Sequence, residues 1–425
     1  MSEPRGARPS LGVSWVHIAC GAFIILWLDV GQAASVMSRV PTIAKIAVLG
    51  LWLVLAAARS RPFMEKFAIN AWPLPVMIGL TILYSGEVAQ ASQYAQGFGY
   101  LLIAFALLCF YGQPKYQREG RALVGVMACD LAITGIRTLV AVQADPELAR
   151  YLATTEDKRV AVYGAQSFTG LGGYGLAYSL AAILLLLMFF VARGQGHRGV
   201  LGLIVACGLV VLIELAFTTA IVLTITLGLA FLIHDLVEEV ALRVLIYAVA
   251  FLGWILGFYS AILEAVAGWS VVGTVVSQRL SELATFFSGE STRGSDLGTR
   301  LYRWSESIEI FLDSGPLGLA GRTGVRGDTG GHSQWLDMIA NYGVLTVLPL
   351  LFFVFAWNFC RKRSTIIGAL ALKRVWLYFI VLGFINPLLF STIVLTWMFF
   401  VPITASWIED RAPARIPSVL HGASA

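Results

Sequence analysis

Between Tyr174 and Ala192 the chain runs YGLAYSLAAILLLLMFFVA without a single charge, and runs of this kind recur along most of its length. Inside hydrocarbon a backbone has to satisfy its own amides, which a helix of about 20 apolar residues does while spanning about 30 Å. A soluble helix of that length would carry a charged face, and this run has none. Over 425 residues, 58% are hydrophobic and 13% charged, with the charges gathered in short clusters between apolar runs. The chain therefore reads as an all-α polytopic membrane protein.

Scored by length and flanking charge, about twelve spans are expected. They lie near 13–31, 40–57, 69–86, 94–112, 122–143, 174–192, 199–215, 217–233, 244–266, 338–358, 375–391 and 393–408. With the N-terminus inside, eighteen Lys and Arg residues fall on inner segments, Lys373 and Arg374 among them, against four on the short outer loops (Arg39, Arg150, Lys158 and Arg159). That asymmetry predicts both termini on the cytoplasmic side and the long interval near 267–337 outside. The net charge of +5 is thus spent on orientation and does not point to nucleic acid. Of the five cysteines, Cys20, Cys109, Cys129 and Cys207 lie in apolar runs and Cys360 beside a basic cluster, which suggests no disulfide framework. The first apolar run, with no small-residue cleavage site after it, is expected to be a retained helix. No repeat of fixed period and no low-complexity linker divides the chain, so residues 1–425 read as one domain with an extracytoplasmic cap at 267–337.

Polar residues concentrate in that interval. From Leu301 to Leu312, Leu301, Trp304, Ile308, Phe311 and Leu312 recur at helical spacing, which predicts an amphipathic helix on the membrane surface, ended by Ser314-Gly315-Pro316. Eight glycines lie between Arg300 and Gly343, with Arg322 and Arg326 in the arm Gly-Arg-Thr-Gly-Val-Arg-Gly. His332 follows, where the chain enters its tenth span. Within the spans, Asp29, Lys45, Glu87, Arg137, Glu214 and Glu264 fall near predicted outer ends and Asp130 lies deeper. Ionisable groups in a membrane usually face a cavity or one another, so this grouping predicts a polar vestibule beneath the long loop.

Arg300 four residues before Trp304, then Pro316-Leu317-Gly318, a glycine-rich arm, His332-Ser333-Gln334-Trp335-Leu336 and Gly343 resemble, in that order, the O-antigen ligase and O-antigen polymerase family. The close likeness covers about a tenth of the chain. Ser333 stands where the family usually has Asn, and Ala216-Phe217-Thr218-Thr219 stands where members often have a Ser-Arg pair. Arg159, with Gly164 and Gly172 to Tyr174, resembles another, looser family stretch.

The resemblance implies a GT-C-like membrane glycosyltransferase of the bacterial inner membrane, with its active site facing the periplasm. Its donor would be a glycan on undecaprenyl pyrophosphate. Its acceptor would be a second lipid-linked glycan in a polymerase, or lipid A core in a ligase, and the sequence leans towards a polymerase of surface polysaccharide. A flippase and a chain-length regulator would be the protein partners. Leaving-group charge develops on pyrophosphate, so fixed cations at the outer headgroup level are required, and the arginine fork suits phosphate oxygens. Arg300, Arg303, Arg322, Arg326, Arg159 and Arg137 are the candidates, with Lys45 as another replacement for the contact absent at Thr219.

His332 is the candidate general base for the acceptor hydroxyl, kept neutral by the positive end of the helix it precedes. No metal or other cofactor is expected. A lipid-linked oligosaccharide flippase or transporter stays open as a second reading, although such proteins usually show repeated halves and broken helices around the midplane. A purely structural subunit is the third.

Overall fold

The computed structural model describes residues 11–29, 31–145, 148, 152, 170–215, 218–237, 239–269, 274–288, 296–322, 329 and 331–411. Eighteen helices carry the description below. They are α1 (Leu11–Leu28), α2 (Thr42–Arg59), α3 (Arg61–Ala71), α4 (Pro73–Leu83), α5 (Ala91–Tyr111), α6 (Gln117–Ala144), α7 (Tyr174–Ala192), α8 (Arg198–Glu214), α9 (Thr218–Leu236), α10 (Val240–Ile255), α11 (Phe258–Ala267), α12 (Thr274–Phe287), α13 (Asp296–Ser314), α14 (Gln334–Tyr342), α15 (Val347–Arg361), α16 (Ile366–Ile385), α17 (Ser391–Leu395) and α18 (Val401–Arg411).

Among the described residues, seven helices are long and apolar enough to cross a membrane, or nine if each of two bent pairs is one crossing. Each of the dozen predicted runs overlaps a helix among the described residues. Those not among the nine form the shorter apolar helices Trp15–Leu28 and Ala220–Asp235 and the 17-residue α8. One bent pair, α3 and α4, turns by 51° at Trp72, where Pro73 begins the second helix. A proline at the first helical position has no amide to lose and a backbone already set for helix.

Two boundaries differ from the sequence reading, and each has a physical cause. α16 begins at Ile366, capped by the Thr365 hydroxyl, which accepts from Gly368 N at 3.3 Å, so Lys373 and Arg374 lie within the helix and not before it. Arg374 is only 8% exposed, because Asp235 at the end of α9 takes two of its N–H groups and the rings of Phe189 and Phe231 cover its guanidinium. α16 then stops at Ile385, and Asn386 to Phe390 run without helix before α17. Non-helical backbone at membrane depth persists where it is buried in protein or lines a cavity.

α7 is the central helix, in contact with α8, α9, α16 and α17, while α1 packs on α2 and α6. The core is aromatic: Trp397, in a widened π-helical turn at Thr396–Phe400, lies between the rings of Phe353 and Phe379, each 4.8 Å away. Helix ends assigned to the inner side by charge are joined by ion pairs. Arg59 pairs with Glu119 at 2.8 Å, Arg121 with Asp410, and Arg193 with Asp235 at 2.8 Å.

Of the predicted cap, α12, α13 and a short turn at Gly318–Gly321 are described. α13 contains the expected amphipathic segment and begins five residues earlier, at Asp296. Tyr302, Ile308 and Leu312 are exposed on it, whereas Ser307 is buried against α14.

Candidate functional site

A cavity of about 730 Å³ lies where α1, α5, α6, α7, α14 and the Asn386 to Phe390 break approach one another. Its size is that of a pocket for a small organic ligand. Its wall mixes hydroxyls, amides and rings, notably Gln93, Gln96, Tyr100, Thr134, Tyr174 and Asn386. His332, Asp337 and Asp29 also line it, and among the described lining residues there is no Lys or Arg.

His332 is placed by the residues around it. Ser333 caps α14: its hydroxyl accepts from Leu336 N at 3.2 Å and donates to Gly383 O at 3.2 Å. Asp337, one turn on, accepts from Ser333 N at 3.1 Å and from the Ser307 hydroxyl at 2.6 Å, which ties the turn to α13. On the other flank, Asn341 Nδ2 donates to Thr329 Oγ1 at 3.2 Å. Both ends of the turn bearing His332 are therefore held by one helix face, Asp337 and Asn341 being four residues apart. Serine and aspartate are the residues that satisfy free amides at a helix start, so Ser333 takes over a capping role that Asn also fills.

Pro316, Gly318 and Gly343, also part of the resemblance, build the joint behind this helix. Gly343 ends α14 with φ +51, and Val344 N donates to Pro316 O at 2.8 Å. A Cβ on Gly343 would lie 2.0 Å from Pro316 O, and one on Gly318 (φ +60) 2.4 Å from Ala340 O. Only glycine permits both the backbone angle and the approach. Gln334, also unforeseen, bridges to the α16–α17 break: its Oε1 accepts from Leu388 N at 2.9 Å and Leu389 N at 3.3 Å, satisfying two amides the break exposes.

The opposite wall is organised by α6, where Asp130, Thr134 and Thr138 recur every fourth residue and so share a face. Each takes a loop amide: Ala33 N donates to Asp130 Oδ1 at 3.0 Å, Gln32 N to Thr134 Oγ1 at 2.7 Å and Gly172 N to Thr138 Oγ1 at 2.8 Å. Two loops are thereby pinned to one helix. Gly31 is required there, since a Cβ would lie 2.2 Å from Asp130 Oδ2.

The predicted site residues are distributed unevenly about this cavity. His332 lines it. Arg137, one turn beyond Thr134 on α6, bonds to Gln32 Oε1 beside Gly170 and so stands next to the pinned loops. Arg303 is exposed and pairs with Glu306 at 3.2 Å, and does not line the cavity. Arg322 is half-buried just after the Gly318–Gly321 turn. Arg300 lies on α13 with its side chain outside the description, and Arg159 and Arg326 lie outside the described residues, as do the side chains of Thr218 and Thr219. Lys45 covers the Trp27 ring at 6.0 Å and does not line the cavity.

Asp337, Asn341 and Gln334 were missed because nothing distinguishes them in the motif. The signal for them was polar residues at spacings of three and four on one face of a helix entering the membrane. The same signal marks Gln93, Gln96 and Tyr100 on α5. Compared with known proteins, the chain matches no family model and no curated protein.

Proposed function

We propose that this protein is a membrane glycosyltransferase that moves a glycan from undecaprenyl pyrophosphate to a sugar hydroxyl of a second lipid-linked glycan, polymerising the repeat units of a surface polysaccharide. The observation carrying the proposal is that His332, singled out by the motif, borders a cavity lined with amides, hydroxyls and rings inside a bundle of membrane-spanning helices. Such a wall suits sugars, which are recognised through many hydroxyls and an apolar ring face. In this reading the imidazole takes the proton of the attacking hydroxyl, which then forms the new glycosidic bond as the bond to pyrophosphate breaks with inversion. The proton stays on His332 and the electron pair leaves on the diphosphate, which arginines stabilise as its charge grows. Arg137, which meets Gln32 beside the pinned loops, is one candidate, and Arg300, Arg303, Arg322, Arg326 and Arg159 complete the proposed set.

The reading includes about twelve crossings, both termini in the cytoplasm of a bacterium and the cavity facing the periplasm. The ion pairs joining Arg59, Arg121 and Arg193 to neighbouring helix ends support the orientation, since they link segments that the charge count puts on one side.

The test is direct. Purified protein in detergent, given lipid-linked repeat units and no other acceptor, should yield a ladder of longer products. Donor that stays intact until lipid A core is added, and is then transferred once, would replace polymerase by ligase. Intact donor under both conditions would remove the transferase reading.

A further inference from the structure

Arg363 follows α15, and its guanidinium lies 3.9 Å over the Phe359 ring, beside the thiols of Cys109 and Cys360. The residue is half-buried, and its covered Nη1 meets no hydrogen-bond partner among the described residues. This nitrogen packs against the end of α5, where a Cβ on Gly112 would lie 3.1 Å from it, yet no carbonyl there accepts from it. Arg59, Arg121, Arg193 and Arg374 each meet a carboxylate. For Arg363, burial lowers the pKa and the groups set against that shift are the two thiols, not a carboxylate. An arginine nevertheless keeps its charge, and a partly buried cation without a counter-charge is costly unless an anion reaches it. Its neighbours share its sign. The Cys109 thiol is within electrostatic reach of Lys66 on α3 as well as of Arg363, and α3 packs on both α5 and α15. Lys66, Arg361 and Lys362 are exposed, and Glu65, the acid next to Lys66, is taken up by Arg61 at 3.5 Å. None of these residues lines the cavity of His332.

We propose that Arg363, Lys66 and Arg361 bind the phosphate of an anionic membrane phospholipid, whose acyl chain lies along the exposed face of α15. Two stretches long and apolar enough to cross a membrane, Ala91–Tyr111 and Gln334–Arg361, end at this cluster, which puts it at the level of lipid headgroups. Val347, Leu350 and Val354 are exposed on α15 at the spacing that places them on one face with Arg361, so an apolar track leads to the cations. A free phosphate would use the cations and leave that track unused; a lipid uses both. The guanidinium fork takes phosphate oxygens in pairs, Lys66 adds a point charge, and basic residues beside membrane helices attract anionic headgroups. The site does not depend on the transferase reading.

Native mass spectrometry of the full-length protein in detergent at neutral pH, titrated with phosphatidylglycerol or phosphatidylcholine, reads the two affinities. The wild-type protein should hold phosphatidylglycerol at least about fivefold more tightly, and Arg363→Gln and Lys66→Gln should each weaken that binding about fivefold. Arg198→Gln removes an exposed cation from α8, a helix packed on α6, α7 and α9, and should change it less than about twofold. Equal affinities of the wild-type protein for the two lipids overturn the proposal whether or not Arg363→Gln folds. An equal loss in Arg198→Gln also overturns it, because the attraction would then be one of overall charge. Where Arg363→Gln does not fold, the variant at exposed Lys66 carries the comparison, and unchanged affinity in it refutes the site. Glycerol phosphate, the headgroup without its acyl chains, should not displace the bound lipid at equal concentration; displacement would make this a site for free anions and end the lipid assignment.

Discussion

His332 sits between two residues, Thr329 and Ser333, that are both tied to α14, so its ring is presented by a turn that has little freedom to move. Those ties run through Thr329 and Ser333 to Asn341 and Asp337 on α14. His332→Ala should therefore leave the helix cap and the fold intact while removing the base from the proposed reaction. Loss of a positioned general base lowers turnover by about 10² to 10⁴. The expected outcome is a protein with an unchanged unfolding midpoint in detergent and a product ladder reduced by that factor; full turnover in the variant would take the histidine out of the mechanism. The resemblance and the spacing singled out this residue, but not Asp337, whose carboxylate sets the turn through Ser333 N and Ser307. An acid four residues into an apolar helix looks like many others until its two partners are known.

At the scale of elements, the joint between the Pro316-Leu317-Gly318 turn and the end of α14 determines how the histidine helix meets α13. It depends on backbone contact: Val344 N reaches Pro316 O, and Gly318 fits under Ala340 O. Gly343→Ala puts a side chain on a positive φ and a Cβ into a carbonyl, so α14 has to shift. The unfavourable backbone angle alone costs on the order of 1–3 kcal/mol. The variant should show a lower unfolding midpoint together with reduced transfer, and a wild-type midpoint would show that the joint tolerates displacement. A similar economy shapes the far wall, where Asp130, Thr134 and Thr138 hold two loops through three amides. That stripe is written plainly in the sequence as Asp-x-x-x-Thr-x-x-x-Thr, but which amides it would meet is not.

For the whole molecule, the arrangement predicts a sidedness that can be read without any activity. With the five native cysteines replaced, Ser305→Cys on exposed α13 should react with a membrane-impermeant maleimide in spheroplasts. Lys362→Cys, exposed after α15, should react only after lysis. The opposite pattern would invert the topology and put His332 on the cytoplasmic side. Ion pairing ties distant helices together as well, because Arg193 and Arg374 converge on one carboxylate, Asp235, from two other helices. Those three residues are separated by up to 181 positions between Arg193 and Arg374, and no local pattern relates them.

What the sequence alone determined is the solvent and the secondary structure. Long apolar runs leave helix as the way to satisfy buried amides, and each of the runs overlaps a helix among the described residues. It also marked His332, because a motif of fixed order survives in one dimension. Only the tertiary structure decided that Asp29, Gln93, Thr134, Asn386 and His332 share one cavity, that Arg374 is buried and not in a loop, and that α16 breaks at Asn386. Each of these depends on a partner far away in the chain: a carboxylate for a buried guanidinium, an amide side chain for two freed backbone N–H groups. Such partners exist only once the helices have packed.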